Sequence, residues 1–334
     1  MQDRQDPIEA ASDGSMDLYD VATWEVRTPT DRLAAVVWRV AASSARIAVV
    51  LVALLLLLGI GGLAALTDPQ TGLLTILSAV PALGLAAYVY STDVTSSEPL
   101  SLLVATFLLG VLTANFAAVL NSLLKPYFQV LGFVGSILFF YLIVGPVEET
   151  VKLLAVRLYA YTDERFDAVL DGAVYGAMAG LGFAVIENAL YIMRQIPDTG
   201  LDIGLGIIGV GGGITAVRAL AGPGHVIYSA IAGYYLGLAK YNPGKRGPIV
   251  VKGILLAAFV HGTYNTTVGI GSAIISAVTG LSGLAPFLVY VVIYDGVFGL
   301  FLLRKIQKYR DRYREAHAAP ADESDFESEL TEFE

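Results

Sequence analysis

The chain has 334 residues, of which 55% are hydrophobic and only 15% charged, and its mean hydropathy is +0.65. It contains no cysteine, which excludes a disulfide framework and any thiolate metal or nucleophile site. The net charge of −9 disfavours a nucleic-acid partner, and much of it sits in the two ends, with six acids in the first 20 residues and eight in the last 20.

Long uncharged runs read as membrane-spanning helices, because a backbone without water must satisfy its own hydrogen bonds. The expected fold is therefore all-α, a multi-pass transmembrane helical bundle embedded in the lipid bilayer of the cell membrane. In chain order, an acidic tail over 1–40 lacks the basic start and early apolar core of a signal peptide. Spans follow near 47–66, 72–92, 100–123, 129–161, 168–193, 221–240, 250–271 and 284–303. Residues 201–219, with Gly209-Val210-Gly211-Gly212-Gly213, are poor helix material and are read as a re-entrant or surface segment. A second acidic tail covers 306–334, so the membrane domain is 41–305.

Basic residues mark the inner side. Arg27, Arg32, Arg39 and Arg46 precede the first span, Arg157 at the end of the fourth span and Arg165 just after it mark another inner loop, and Lys240, Lys245, Arg246 and Lys252 flank one loop. Arg304, Lys305, Lys308, Arg310, Arg312 and Arg314 follow the last span. Eight spans with both termini cytoplasmic place all four clusters inside.

Against this apolar background the polar residues stand out. Glu148-Glu149-Thr150-Val151-Lys152 follows 22 uncharged residues, Pro126 to Val147. A charge at the centre of a membrane helix costs roughly 2.5–3.5 kcal/mol on insertion scales, so such residues usually serve a function. Glu148 and Lys152 are four apart in the favourable order, which predicts that they pair. Pro146, behind Gly145, cannot donate to the Leu142 carbonyl and predicts a kink just before the carboxylates. Glu187-Asn188, His225, and His261 with Asn265 lie in other spans, and two of the three histidines of the chain are thus intramembrane. Gly172, Gly176 and Gly180 recur every four residues, a face for close helix approach, and Glu187 lies about 20° from Gly180 around the helix. Glu148, Glu187, His225 and His261 fall at similar depths, as a shared site requires. Asp171 reads as a helix start and Asp295 as packing.

Two carboxylates, two imidazoles and an amide suit water activation against a carbonyl. A buried glutamate takes the proton, while an imidazole and Asn265 donate to the oxyanion. Alternatively His225, His261 and a glutamate, Glu187, bind Zn2+ in an open three-ligand site. The metal-free glutamate mechanism is preferred.

The same residues resemble the motifs of the PrsW family of intramembrane proteases, distantly related to the CAAX-processing and bacteriocin-processing superfamily. Glu148-Glu149-x-x-Lys152 is similar to the paired-glutamate motif. Gly182-Phe183-Ala184 with Glu187-Asn188 and Tyr191 is similar to the second motif, Arg218 through His225 to Gly233-Tyr234 to the third, and His261-Gly262-x-Tyr264-Asn265 to the fourth. The resemblance covers about 145–265 and implies an endopeptidase acting on a membrane-embedded protein substrate. It implies Glu148 as general base, Glu149 as orienter, Glu187 and His225 around the water or metal, and His261 with Asn265 at the oxyanion. Lys152 belongs to the same set. The alternatives are a proton- or ion-coupled transporter, in which the same groups relay charge, and a non-catalytic membrane scaffold.

Overall fold

The computed structural model describes Ile8 and residues 15–95, 98–195 and 210–317. Its helices are α1 Pro29–Gly59, α2 Gly62–Thr67, α3 Pro69–Tyr90, α4 Leu100–Gln129, α5 Gly132–Phe139, α6 Gly145–Leu158, α7 Val169–Gln195, α8 Val210–Lys240, α9 Arg246–Thr279 and α10 Ala285–His317. No strand is found among the described residues, so the all-α membrane bundle stands. Six segments are long and apolar enough to cross a membrane: α1, α3, α4, α7, α10, and Pro243–Thr279, which contains α9. The other two expected spans are helical as well. They are the α5–α6 pair and α8, and these carry the polar residues of the site.

The helices differ in which face they bury. Along α1 only Asp31, Ala53 and Leu57 are buried, and Leu51, Leu54, Leu55 and Leu58 are exposed, as befits a lipid-facing anchor. Helix α7 is buried almost throughout and forms the centre. It packs against α8, α4 and α3, while α9 and α10 cover the other side of α8. Helix α6 is inserted between α4 and α9 and touches both α7 and α8.

The α7–α8 contact explains the glycine spacing. A Cβ on Gly172 would lie 2.2 Å from the Gly233 carbonyl oxygen, one on Gly176 2.3 Å from that of Ser229, and one on Gly180 2.4 Å from that of His225. Backbone therefore rests on backbone along three turns, and this close contact carries Glu187 to His225.

Three boundaries differ from the sequence reading. Residues 29–40, read with the acidic tail, are helical and form the first turns of α1, because Thr28 and Asp31 form a capping box with Pro29 at the first helical position. Helix α10 runs on to His317, past the expected end of the membrane domain. Residues 210–219 are no separate segment but the start of α8, with Gly213 absorbing a φ of 81° that a side-chain-bearing residue would resist. The remainder of the Gly-rich segment, 201–209, and most of both acidic tails lie outside the described residues.

Candidate active site

The kink expected at Pro146 takes a definite form. Residues Phe140–Val144 make a π-helical turn, and the Gly145 N–H donates to the Phe140 carbonyl. Proline lacks the N–H that would continue the α pattern, and the turn widens instead. Helix α6 restarts at Gly145, which lies so close to α9 that a Cβ would come 2.5 Å from the Ala258 carbonyl oxygen. The restart aims Glu148 and Glu149 in different directions.

Glu149 points inward and is fully buried. Its Oε1 accepts from Lys152 Nζ at 2.7 Å and lies 2.8 Å from His261 Nδ1. Glu148 faces a cavity. Its Oε1 accepts from the Asn121 amide of α4 at 2.9 Å, while its Oε2 is buried without a hydrogen-bond partner and lies 3.6 Å from His261 Nε2. The expected Glu148–Lys152 pair is therefore replaced by Glu149–Lys152, three residues apart, because Glu148 turns to Asn121 and the cavity.

Lys152 links this group to α8. Its Nζ lies 3.0 Å from His225 Nδ1 and 4.4 Å from the centre of the Phe183 ring. On the far side, His225 Nε2 lies 2.9 Å from Glu187 Oε2. Arg218 donates to the same Glu187 oxygen and, through Nε, to the Asn188 side-chain oxygen at 2.8 Å. The rings of His225 and His261 meet edge to face, 5.2 Å apart.

The structure thus brings five of the seven sequence-derived residues into one hydrogen-bonded chain, Glu149, Lys152, Glu187, His225 and His261, with Glu148 beside it, 3.6 Å from His261. Asn265, the seventh, lines the same cavity one turn beyond His261 but makes no side-chain hydrogen bond among the described residues. Asn121 and Arg218 are the members the sequence reading did not assign. A lone Asn in an apolar helix gives little signal, and Arg218 was read only as part of a motif. The expected roles of Asp171 and Asp295 agree with their contacts. Asp171 accepts from the Asp167 and Ala168 N–H groups at a helix start, and Asp295 accepts from Tyr228 at 3.5 Å.

The cavity has a volume of about 470 Å³, within the range of small-ligand sites. Glu148, Glu187, His225 and His261 line its buried part, and the exposed Lys125, Gln129 and Arg194 line its mouth. A water-accessible path to an intramembrane carboxylate is what hydrolysis inside a bilayer demands.

Glu148, His225 and His261 each offer a ligand atom within 4.8 Å of the other two, so the carboxylate that meets both histidines is Glu148 rather than the expected Glu187. Glu187 is held instead by Arg218. Glu148 Oε2 has no partner, and the three carboxylates of the site face only two permanent cations, Lys152 and Arg218. His261 is set as a ligand: with Nδ1–H given to Glu149, its Nε2 lone pair faces Glu148. His225 is less free, since the Lys152 ammonium occupies Nδ1 and leaves Nε2 to donate to Glu187. Glu148 and His261 fit a metal, and His225 would complete the set through Nδ1 once the Lys152 ammonium moved off it, with Nε2–H still donating to Glu187.

Residues 98–297 match the family described as PrsW family intramembrane metalloprotease. The chain belongs to the PrsW family. Curated relatives are similarly named. Protease PrsW of Geobacillus kaustophilus is 32% identical over 186 residues, 55% of this chain and 75% of the relative. Protease PrsW of Bacillus subtilis is 28% identical over 232 residues, 69% of this chain and 92% of the relative. That of Oceanobacillus iheyensis is 32% identical over 195 residues, 58% and 82% of the two chains. No solved structure matches. The matched region spans α4 to α10 and contains every member of the site, and the PrsW-family chain is accordingly a membrane protease.

Proposed function

We propose that this PrsW-family chain is an intramembrane endopeptidase that hydrolyses a peptide bond of a membrane-embedded protein substrate, with Glu148 as the group that handles the proton. The observation carrying this is the partnerless Oε2 of the cavity-lining Glu148, opposite His261 Nε2. The 3.6 Å between them is too long for a good direct hydrogen bond and leaves both atoms free to address one water beside them. Glu148 takes a proton from that water as its oxygen attacks the scissile carbonyl, and returns it to the leaving amine nitrogen. Asn121 orients the carboxylate. Glu149 fixes the His261 ring from behind, and Lys152 pairs with Glu149. Asn265, one turn beyond His261 on α9, serves the developing oxyanion, while the His261 Nε2 lone pair orients the water.

The family description favours a bound metal over the metal-free route preferred from sequence alone. On that route Glu148 would serve as a ligand in place of its role as free base, and with His225 and His261 it would hold the ion, Zn2+ being the divalent ion these nitrogen and oxygen ligands suit. Such an ion supplies Lewis acidity toward the water and the carbonyl. Glu187, bridged to Arg218, accepts the hydrogen bond of His225 Nε2–H and fixes that ring.

The basic clusters favour both termini in the cytoplasm, with acidic tails flanking a membrane domain whose motif core is 145–265. The test is cleavage of a panel of single-span peptides by protein reconstituted in liposomes, beside Glu148→Gln. Cleavage should fall at least about a hundredfold in the variant with folding intact. Chelator should abolish wild-type cleavage and Zn2+ restore it. Full activity in Glu148→Gln would end this assignment, and chelator-insensitive cleavage would return the metal-free route.

A further inference from the structure

A second carboxylate cluster lies at the end of the bundle away from the cavity mouth. Asp93 and Glu98 sit in the connection between α3 and α4, and Asp171 sits in the first turn of α7. One carboxylate oxygen from each lies within 4.8 Å of the other two. Each residue has one oxygen in use. Asp93 Oδ1 accepts from the Val94 N–H at 2.7 Å, Glu98 Oε2 accepts from the Tyr175 hydroxyl, and Asp171 Oδ2 accepts from the Asp167 and Ala168 N–H groups at 2.6 and 2.8 Å. The other oxygen of each, Asp93 Oδ2, Glu98 Oε1 and Asp171 Oδ1, is buried with no partner.

Glu98 is 3% exposed and Asp171 fully buried. Neither they nor Asp93 makes an ion pair among the described residues. Lys240, at the same end, donates to the Asp163 and Phe166 carbonyls instead. Elsewhere in this protein a deeply buried carboxylate meets a cation, as Glu149 meets Lys152. Three carboxylates held together with idle oxygens are costly to ionise unless a cation joins them, and a divalent ion would satisfy all three idle oxygens at once.

We propose that Asp93, Glu98 and Asp171 bind a hard divalent cation, Ca2+ or Mg2+, that ties the α3–α4 connection to the start of α7. Oxygen-only donors select such ions over Zn2+. Ca2+ takes oxygens at about 2.3–2.6 Å, so two of its ligands are at most about 5 Å apart, and Mg2+ draws them to about 4 Å. This site shares no ligand with the active site. Along α7, Asp171 and Glu187 are separated by about 24 Å.

The test uses full-length protein in detergent, stripped of metal, with Tb3+ as the probe. Tyr175, bonded to Glu98, acts as the antenna for Tb3+ emission. Wild type and Glu148→Gln should both give tyrosine-sensitised emission that the physiological ion displaces, and competition by Ca2+ against Mg2+ identifies that ion. Asp93→Asn and Glu98→Gln should bind at least about tenfold more weakly. The same ion should raise the thermal unfolding midpoint of wild type and of Glu148→Gln but not of Asp93→Asn. Asp93 lies in a half-buried connection, so its variant carries the test should Glu98→Gln not fold. Absence of emission from wild type, or emission unchanged in Asp93→Asn, overturns the proposal, the latter by placing Tb3+ on the acidic tails or the active site.

Discussion

Glu148 and Glu149 are neighbours in sequence with opposite surroundings. One faces a cavity with an idle oxygen, and the other is fixed between an ammonium and an imidazole. Their substitutions should therefore separate. Glu149→Gln removes the ion pair and leaves Lys152 buried without its anion, a change that typically costs about 3–5 kcal/mol. It should also loosen His261 and lower kcat/KM by about 10–100-fold. Glu148→Gln, by contrast, should abolish cleavage and leave stability near wild type, because the Asn121 contact reaches only Oε1. Thermal melts in detergent beside cleavage assays check the pair, and a Glu149→Gln protein as stable as wild type would refute the buried ion pair. That two adjacent glutamates matter is legible in the sequence. Which one faces the cavity is not, because successive residues on a helix differ by about 100° and the neighbours decide which face is wet. The misassigned Lys152 partner has the same origin: spacings of three and four are both allowed on a helix, and packing chose three.

The α7–α8 contact does for the helices what Glu149 does for the rings. Glycines at 172, 176 and 180 let the α8 backbone approach, and the last of them touches the carbonyl of His225 itself. Gly180→Leu should push the two helices apart, cost about 1–3 kcal/mol by overpacking, and part Glu187 from His225. Melting temperature and cleavage should both fall. An unchanged melt would show that the contact gives way freely. This face was readable from its spacing of four. The π-turn was only half readable, since Pro146 and Gly145 announce a break but not its form. The start of α8 was missed because its glycines are poor helix formers in isolation, and burial of Ile214 and Thr215 against the bundle overrides that propensity. The start of α1 was missed although Thr28-Pro29-x-Asp31 is a legible cap, because the acidic residues around it drew the boundary too late.

At the scale of the molecule, an outer set of apolar helices surrounds a polar centre built from α6, α7, α8 and α9. The cavity mouth lies at one end, at Lys125, Gln129 and Arg194, and the Asp93–Glu98–Asp171 cluster lies at the other. Under the proposed orientation, with both termini cytoplasmic and the cavity mouth outside, a reporter fused at Gly244, between α8 and α9, should read as cytoplasmic. An external signal there would refute the orientation and with it an outward-facing mouth.

Composition and periodicity by themselves determined that the chain is a membrane-embedded helical bundle, because the bilayer leaves a long apolar chain no other way to satisfy its backbone. The rarity of charge in such helices picked out Glu148, Glu149, Lys152, Glu187, His225 and His261, and four ordered motifs gave the family. Only the tertiary structure decided the pairings: Lys152 with Glu149, Glu187 with Arg218, Asn121 with Glu148, and Glu148 in place of Glu187 beside the two histidines. A sequence constrains a side chain's partners on its own helix. The partners on other helices depend on how deeply and at what rotation each helix is inserted, and those are set by contacts between residues far apart in the chain.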